Sequence, residues 1–562
     1  ALTLVACGLM IVSTYFLQPG IEGKFQDEAA LSLLLGGIAL GGALWLAPRK
    51  NNLQTLLPSD TALSPGVTRW WIVGLGVLLL AIVAEISGQE FLTPTLINVS
   101  VHLQFGLLVV GILLVGWGLA GEIRLRVSIT DRKTTLLLVA IFGIGLVVRV
   151  WGLDTTARFI QDETVFTDAL SHFWYRSNPG LLNGGGAFPI TFIYPYWNAL
   201  TVDVFGRNLI GLRMASVLLG IWVVPVAYGL ARTLFNKRVG LIAALLLATF
   251  PPVIHFSQIS WGHMGDALFG LLTLMFAARA IKWNRRVDWA FAGVSLGLTQ
   301  YFFETGRILY PPLIVGWFLL LTLGWRMKAY RRGLVIGVLA AVLIAAPVYY
   351  SIAARHAPVT PRMNSSAFGL NYWQNLFDGG LDEGERAEIR TRLTIPFLVY
   401  MQHPDTSAEY YGGYEGFVSL PLVPLFLLGV FWLIWRIRTP AGVLVIALLL
   451  VSSANIFAND PGFASRYVAF ASIIPIVMAV GLCGLLDLLA LKRRWLLAGL
   501  TAIIALWQIY FYFGVHLPYY NIQRRQMRAE HDIIDAVLRT TDLPATTEVF
   551  VIEPAPSIDY YR

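Results

Sequence analysis

Two adjacent carboxylates, Asp162 and Glu163, stand just beyond an apolar run, in the stretch Arg149-Val-Trp-Gly-Leu-Asp154 followed by Arg158-Phe-Ile-Gln-Asp162-Glu163. A carboxylate beside lipid is partly desolvated, which raises its pKa and makes it a stronger base toward a hydroxyl. A solvated loop charge or a helix cap is the plainer reading of an isolated pair. Other ionisable residues hold comparable positions: Arg213 opens a later span, Asp266 follows His255 and His263, Glu304 stands with Arg307, and Asp460 with Arg466. Such groups in or beside a span are energetically costly and mark sites. A guanidinium offers phosphate oxygens a planar fork of donors, so Arg149, Arg213, Arg307 and Arg466 are candidates for an anionic lipid phosphate. Snorkelling to headgroups, or pairing with a carboxylate as Arg307 could with Glu304, is the alternative.

Other chemistries have less support. His172, His255, His263 and His403 have no ligand spacing of the HExxH kind, so no metal is expected. Gly184 to Gly186 and Gly412-Gly413 match neither a Walker nor a dinucleotide pattern. Cys7 and Cys483 both lie within apolar runs and indicate no disulfide framework.

The elements that must position these residues are membrane helices. Of 562 residues, 57% are hydrophobic and 13% charged, more apolar than a soluble globular domain. Runs such as Trp71 to Ile86, Leu103 to Leu119 and Leu334 to Tyr350 approach or exceed the length of a bilayer-crossing helix, and the whole chain reads as about 15 of them. The opening apolar run is read as a membrane helix rather than a signal peptide, because no small-residue cleavage pattern follows. The formal charge of +8 does not imply nucleic acid, since Lys and Arg fall between the apolar runs. They cluster in alternate short loops, including Arg232, Lys237 and Arg238; Lys282, Arg285 and Arg286; and Arg326, Lys328, Arg331 and Arg332. By the positive-inside rule those loops face the cytoplasm, which puts the carboxylates and the four arginines outside.

The order of these features resembles the GT-C superfamily of membrane glycosyltransferases, in the branch of protein O-mannosyltransferases and aminoarabinose transferases. Four pieces carry the resemblance: Arg149 through Asp162-Glu163, similar to the first outer loop with its acidic pair; Gly211-Leu-Arg213-Met-Ala-Ser216 through Arg232; Phe250-Pro-Pro252 through Gly265-Asp266; and Ser465-Arg466-Tyr467 before a late span. Together they cover Leu136 to about Phe513. The resemblance implies a polyprenyl-phosphate sugar as donor, a protein, lipid or glycan hydroxyl as acceptor, and inverting transfer at the outer face of the cell membrane. It implies Asp162 as general base with Glu163 in support, Arg213, Arg466 and Arg307 on the donor phosphate, and Asp266, His263 and Glu304 as supporting or acceptor-side residues. Gln300-Tyr-Phe-Phe-Glu304-Thr-Gly-Arg307 departs from the family in lacking a lysine, so that either Arg307 substitutes for it or the donor contact differs.

The expected architecture is an all-α polytopic bundle of the GT-C type. Residues 1–133 form extra N-terminal hairpins, residues 134–513 the catalytic core with outer loops 151–206 and 354–416, and residues 514–562 an external segment with a helix at Gln523 to Leu538 and a strand at Thr547 to Ile552. Tyr372, Trp373, Tyr410, Tyr411 and Tyr414 make the second loop a candidate lid over a sugar, or an interfacial aromatic belt. A transporter or a non-catalytic membrane subunit is the rival reading; it predicts charged or broken helices near the bilayer midplane, or no dependence on a donor lipid.

Overall fold

A computed structural model describes residues 2–16, 26–46, 55–56, 62–91, 99–121, 131–158, 160–174, 180–183, 191–324, 327–367, 372, 374, 382–407, 409–491, 494–527, 544 and 547. The helices are α1 (Leu2–Phe16), α2 (Gln26–Leu46), α3 (Trp70–Gly88), α4 (Val101–Ala120), α5 (Arg132–Val150), α6 (Gln161–Trp174), α7 (Ile193–Phe205), α8 (Leu209–Leu234), α9 (Lys237–Ala248), α10 (Pro251–Gln258) and α11 (His263–Trp283). They continue as α12 (Arg286–Leu298), α13 (Glu304–Gly324), α14 (Arg331–Ala354), α15 (Pro361–Ser366), α16 (Glu383–Leu398), α17 (Val423–Trp435), α18 (Val443–Asn455), α19 (Val468–Ala471), α20 (Ile473–Leu488), α21 (Arg494–Tyr510) and α22 (Leu517–Met527). A single β-bridge among the described residues pairs Ala367 with Ala458.

The protein is an all-α integral membrane protein. Among the described residues, nine helical stretches are long and apolar enough to cross a bilayer, or eleven if each of two bent pairs is one span. The expected count of about fifteen exceeds these numbers because several apolar runs, such as Leu2–Phe16, Leu420–Trp435 and Pro440–Asn455, are shorter helices. Hydropathy alone does not separate them from full spans.

The bend of 50° between α9 and α10 has a local cause. Pro251 and Pro252 have no N–H to offer the carbonyls of Leu247 and Ala248, four residues earlier. Arg149 reaches in from the end of α5 instead, donating from Nη1 to Ala248 O at 2.9 Å and from Nη2 to Leu247 O at 3.4 Å.

At the centre, α8 packs against α5, α7, α9, α10 and α11, with Asn208 capping its start by accepting from Gly211 N. Beside it α17 crosses α20 closely: a Cβ on Gly429 would lie 2.1 Å from Val477 O, and one on Gly481 2.2 Å from Leu425 O. Between helices in lipid such small residues permit the close packing that association needs. The two N-terminal hairpins dock separately, α1–α2 on α17 and α3–α4 on α12 and α14. The second also grips an outer loop, since Gln104 Oε1 accepts from Leu181 N at 2.8 Å and Ser87 Oγ from Leu182 N at 3.1 Å.

Towards the C-terminus the last apolar stretch runs further than hydropathy indicates, from Trp495 to Gln523, with a π-helical turn at Phe511–His516. The expected external helix is described only as far as Met527. The expected strand lies outside the described residues apart from Thr547, as do Trp373 and Gly184 to Gly186.

Candidate active site

Asp162 and Glu163 fall in the first turn of α6, and their neighbourhoods differ. Glu163 is fully buried and grips Arg213 of α8 in a two-pronged pair, Nε to Oε1 at 2.8 Å and Nη2 to Oε2 at 2.9 Å. The same carboxylate accepts from Ser260 N at 2.8 Å and Ile160 N at 3.1 Å. The remaining arm of Arg213, Nη1, donates to Leu153 O and Ala157 O at 2.8 and 2.9 Å. The pair therefore sews the first outer loop to α8 and to the α10–α11 turn. Asp162, 9% exposed, is held at the edge of this brace.

Hydroxyl groups extend the brace. Tyr194 Oη lies 2.6 Å from Ser216 Oγ and 3.2 Å from Ser260 Oγ, and Ser216 Oγ accepts from Trp261 N at 2.7 Å. Burial pushes the Tyr194 phenol up to about 12, so it serves as a neutral hydroxyl. Trp261 is thereby fixed in the wall of a cavity.

That cavity has a volume of about 420 Å³. Aromatic groups line it: Trp261, His263, Phe303, Tyr410, Phe457 and Phe463. Its polar lining includes Glu304, Asn455, Ser465 and Arg466. The His263 ring stacks on Trp261, with centroids 4.5 Å apart, and on Phe303 at 3.6 Å. Arg466 is half-buried, donates from Nη1 to Asp460 O, and lies with Cζ 5.1 Å from the Phe463 ring centre.

The structure separates the residues that the sequence grouped together. His263, Glu304 and Arg466 line the cavity; Asp162, Glu163, Arg213, Asp266 and Arg307 do not. Asp266 is fully buried and accepts from Phe303 N at 3.2 Å and Gly306 N at 3.0 Å, so it pins the turn that opens α13. A Cβ on Gly306 would come within 2.4 Å of its Oδ1, which requires glycine there. Arg307 donates to Val359 O at 2.8 Å and Gln300 O at 3.0 Å, while its neighbour Glu304 accepts from Met363 N at 2.8 Å at the start of α15. Arg149, Arg213, Arg307 and Arg466 thus all give donors to backbone carbonyls within the protein, and of the four only Arg466 also lines the cavity.

One positioning residue has no sequence signal of its own. Asp405, nearly buried, accepts from Ser407 N, Ser407 Oγ, Tyr411 N, Gly412 N and Ala464 N at 2.8 to 3.2 Å. It ties the Tyr410 loop to the turn that presents Ser465 and Arg466. The last helix closes the same region: Tyr520 Oη donates to Glu409 O, Gly413 N donates to Gln523 Oε1, and Asn521 bonds Arg158 N and Thr156 O of the first outer loop. Among the described residues, no three His, Cys, Asp or Glu side chains stand where they could hold a metal ion.

Comparison with known proteins falls on this region. The family model described as dolichyl-phosphate-mannose-protein mannosyltransferase matches residues 190–350. An undecaprenyl phosphate-alpha-4-amino-4-deoxy-L-arabinose arabinosyl transferase of Pseudomonas aeruginosa is 29% identical over 245 residues, which cover 40% of this chain and 42% of that protein. The chain thus spans less than half the length of this curated relative. Among solved structures, the apo oligosaccharyltransferase of Archaeoglobus fulgidus aligns with a TM-score of 0.46 at 14% identity over 76% of this chain and 62% of that one. Apo ArnT from Cupriavidus metallidurans aligns with a TM-score of 0.45 at 16% identity over 66% and 62%. The matched segment, which supplies Trp261, His263 and Phe303 to Leu309 of the cavity wall, is thus similar to the dolichyl-phosphate-mannose-protein mannosyltransferase family.

Proposed function

We propose that this protein is a membrane glycosyltransferase that moves a sugar from a polyprenyl-phosphate donor to an acceptor hydroxyl at the outer face of the membrane, with inversion. The observation that carries the reading is the cavity itself: an aromatic pocket with one guanidinium in its wall, one side of which, from Trp261 to Leu309, lies in the segment that matches the mannosyltransferase model. Apolar faces such as Trp261 and Tyr410 suit a sugar ring, and Arg466 suits the phosphate that leaves.

In this mechanism Asp162, assigned by the family resemblance and standing outside the cavity lining, takes the proton of the acceptor hydroxyl as its oxygen attacks the anomeric carbon. The bond from that carbon to the phosphate oxygen breaks, and the electron pair departs on the lipid phosphate, whose charge Arg466 stabilises. Glu163 and Arg213 set the position of Asp162 from behind. Asp266 and Arg307 hold the turn that carries Phe303 and Glu304. His263 and Glu304 bound the acceptor side. The similarity to an undecaprenyl phosphate-alpha-4-amino-4-deoxy-L-arabinose arabinosyl transferase supports the donor class.

The test is transfer of labelled sugar from a panel of polyprenyl-phosphate donors in native membrane extract, with Asp162→Asn alongside. Transfer that falls by about 10² to 10⁴ in the variant supports the assignment. Wild-type transfer by folded Asp162→Asn removes Asp162 as base, and absence of transfer from every donor removes the enzyme reading.

A further inference from the structure

Two buried polar side chains in the cavity wall carry hydrogen-bonding atoms that the rest of the described protein does not use. Asn455, the last residue of α18, is 6% exposed and lines the cavity. Its Nδ2 donates to Val451 O at 2.9 Å, one turn back on the same helix. That bond fixes the orientation of the amide, because the flipped form would set Oδ1 against the carbonyl oxygen, acceptor against acceptor. Oδ1 is therefore the atom left over, and no donor among the described residues reaches it. Ser465, 8% exposed, precedes Arg466 in the same wall, and its Oγ has no partner among the described residues.

Both residues are held in place by their surroundings. Around Ser465, Ala464 N donates to Asp405 Oδ1 at 3.0 Å and Tyr467 Oη to Pro461 O at 2.7 Å. Asn455 ends a helix packed against α13, whose first turn brings Glu304 and Thr305 to the cavity. Buried polar groups are nearly always hydrogen-bonded, and a ligand that displaces water from these two must reproduce its bonds or lose affinity.

The chemistry of the two atoms selects the part of the ligand they meet. Asn455 Oδ1 requires an O–H or N–H. The oxygens of a phosphodiester only accept, and an isoprenoid chain has no polar hydrogen, so neither the phosphate nor the lipid of a donor completes it. A sugar does, since its ring edge carries hydroxyls while its C–H face suits aromatic walls such as Trp261 and Tyr410. The geometry points to Asn455 and Ser465 as the residues that select the sugar: Asn455 Oδ1 accepts from one hydroxyl or amino group of the transferred sugar, and Ser465 Oγ bonds a second. This inference rests on the reading of the cavity as a donor site and adds what within it discriminates among sugars.

The test uses the purified full chain and undecaprenyl phosphate carrying each of a panel of hexoses and pentoses. The sugar that the wild type transfers best is then compared with its monodeoxy forms. The form lacking the group read by Asn455 should have a kcat/KM lower by roughly 10- to 100-fold. Asn455→Leu should bring the parent sugar down to that level and turn over this deoxy form as the wild type does, so that discrimination disappears at one ring position. Ser465→Ala, which removes an oxygen bonded to nothing among the described residues, should do the same at a second position, and it decides alone should Asn455→Leu fail to fold. Sugar-free undecaprenyl phosphate, counted by native mass spectrometry, should be retained equally by the wild type and both variants. A uniform fall across all sugar forms, an undiminished preference in either folded variant, or weaker retention of the sugar-free lipid would overturn the inference and leave the donor reading standing. Absence of transfer from every member of the panel by folded wild type would overturn both.

Discussion

Glu163 and Arg213, fifty residues apart in the chain, meet as a fully buried pair with both carboxylate oxygens engaged, at 2.8 and 2.9 Å. Asp162 precedes Glu163 directly, so one helical turn holds a carboxylate used for structure beside one proposed for chemistry. Removing one partner of such a pair leaves a buried charge uncompensated, typically at 3 to 5 kcal/mol.

Glu163→Gln is therefore expected to lower stability by about 3 kcal/mol or more, whereas Asp162→Asn should leave the unfolding temperature nearly unchanged and reduce turnover. Thermal unfolding in detergent beside the transfer assay checks the contrast. If Glu163→Gln unfolds like the wild type, the brace is not what holds this loop.

Arg466→Gln should weaken donor binding and slow turnover together, because a phosphate contact made in the ground state strengthens as the bond to carbon breaks. Arg149→Gln should act differently, losing stability through the orphaned carbonyl of Ala248 and leaving donor affinity in the surviving folded protein unchanged. Donor titration of both variants distinguishes a ligand contact from a carbonyl cap.

Asp405→Asn exchanges an acceptor of five hydrogen bonds for an amide whose NH₂ cannot accept from Tyr411 N, Gly412 N or Ser407 Oγ. A loss of about 1.5 to 3 kcal/mol per charged hydrogen bond removed predicts local opening. Hydrogen exchange should speed up at residues 405–412 and 464–466 and stay unchanged at the buried centre of α8. Uniform protection in the variant would show that the loop is held by other contacts.

Glu415 gives a pH dependence. Burial raises its pKa above the usual 4.5, with the Leu420 N–H as a smaller opposing effect. The folded state therefore binds this proton more tightly than the unfolded state, and the contribution to stability decreases as pH rises from 4.5 through the raised folded value. Glu415→Gln should flatten that part of the stability profile and gain stability at neutral pH. A profile unchanged from the wild type would contradict this.

Much of the protein is legible along the chain. Apolar runs announce membrane helices, and the order of Asp162-Glu163, Arg213, Asp266 and Arg466 carries the family resemblance, because each of these signals is local. The bend after α9 is also local, written in Pro251 and Pro252. The strand expected at Thr547 to Ile552, by contrast, lies outside the described residues apart from Thr547.

What only the tertiary structure decided is how each outer charge is used. Sequence records that an arginine beside lipid needs a partner, but the partner is set by packing across long separations: Ala248 O for Arg149, Glu163 for Arg213, Val359 O for Arg307. Four arginines therefore read alike in the chain, and all four donate to carbonyls inside the fold, while only Arg466 also lines the cavity. Asp405 went unremarked for the same reason, since the amides it accepts converge only when two loops and the last helix close on one another. Sequence marked the buried charges that need partners; folding chose the partner of each.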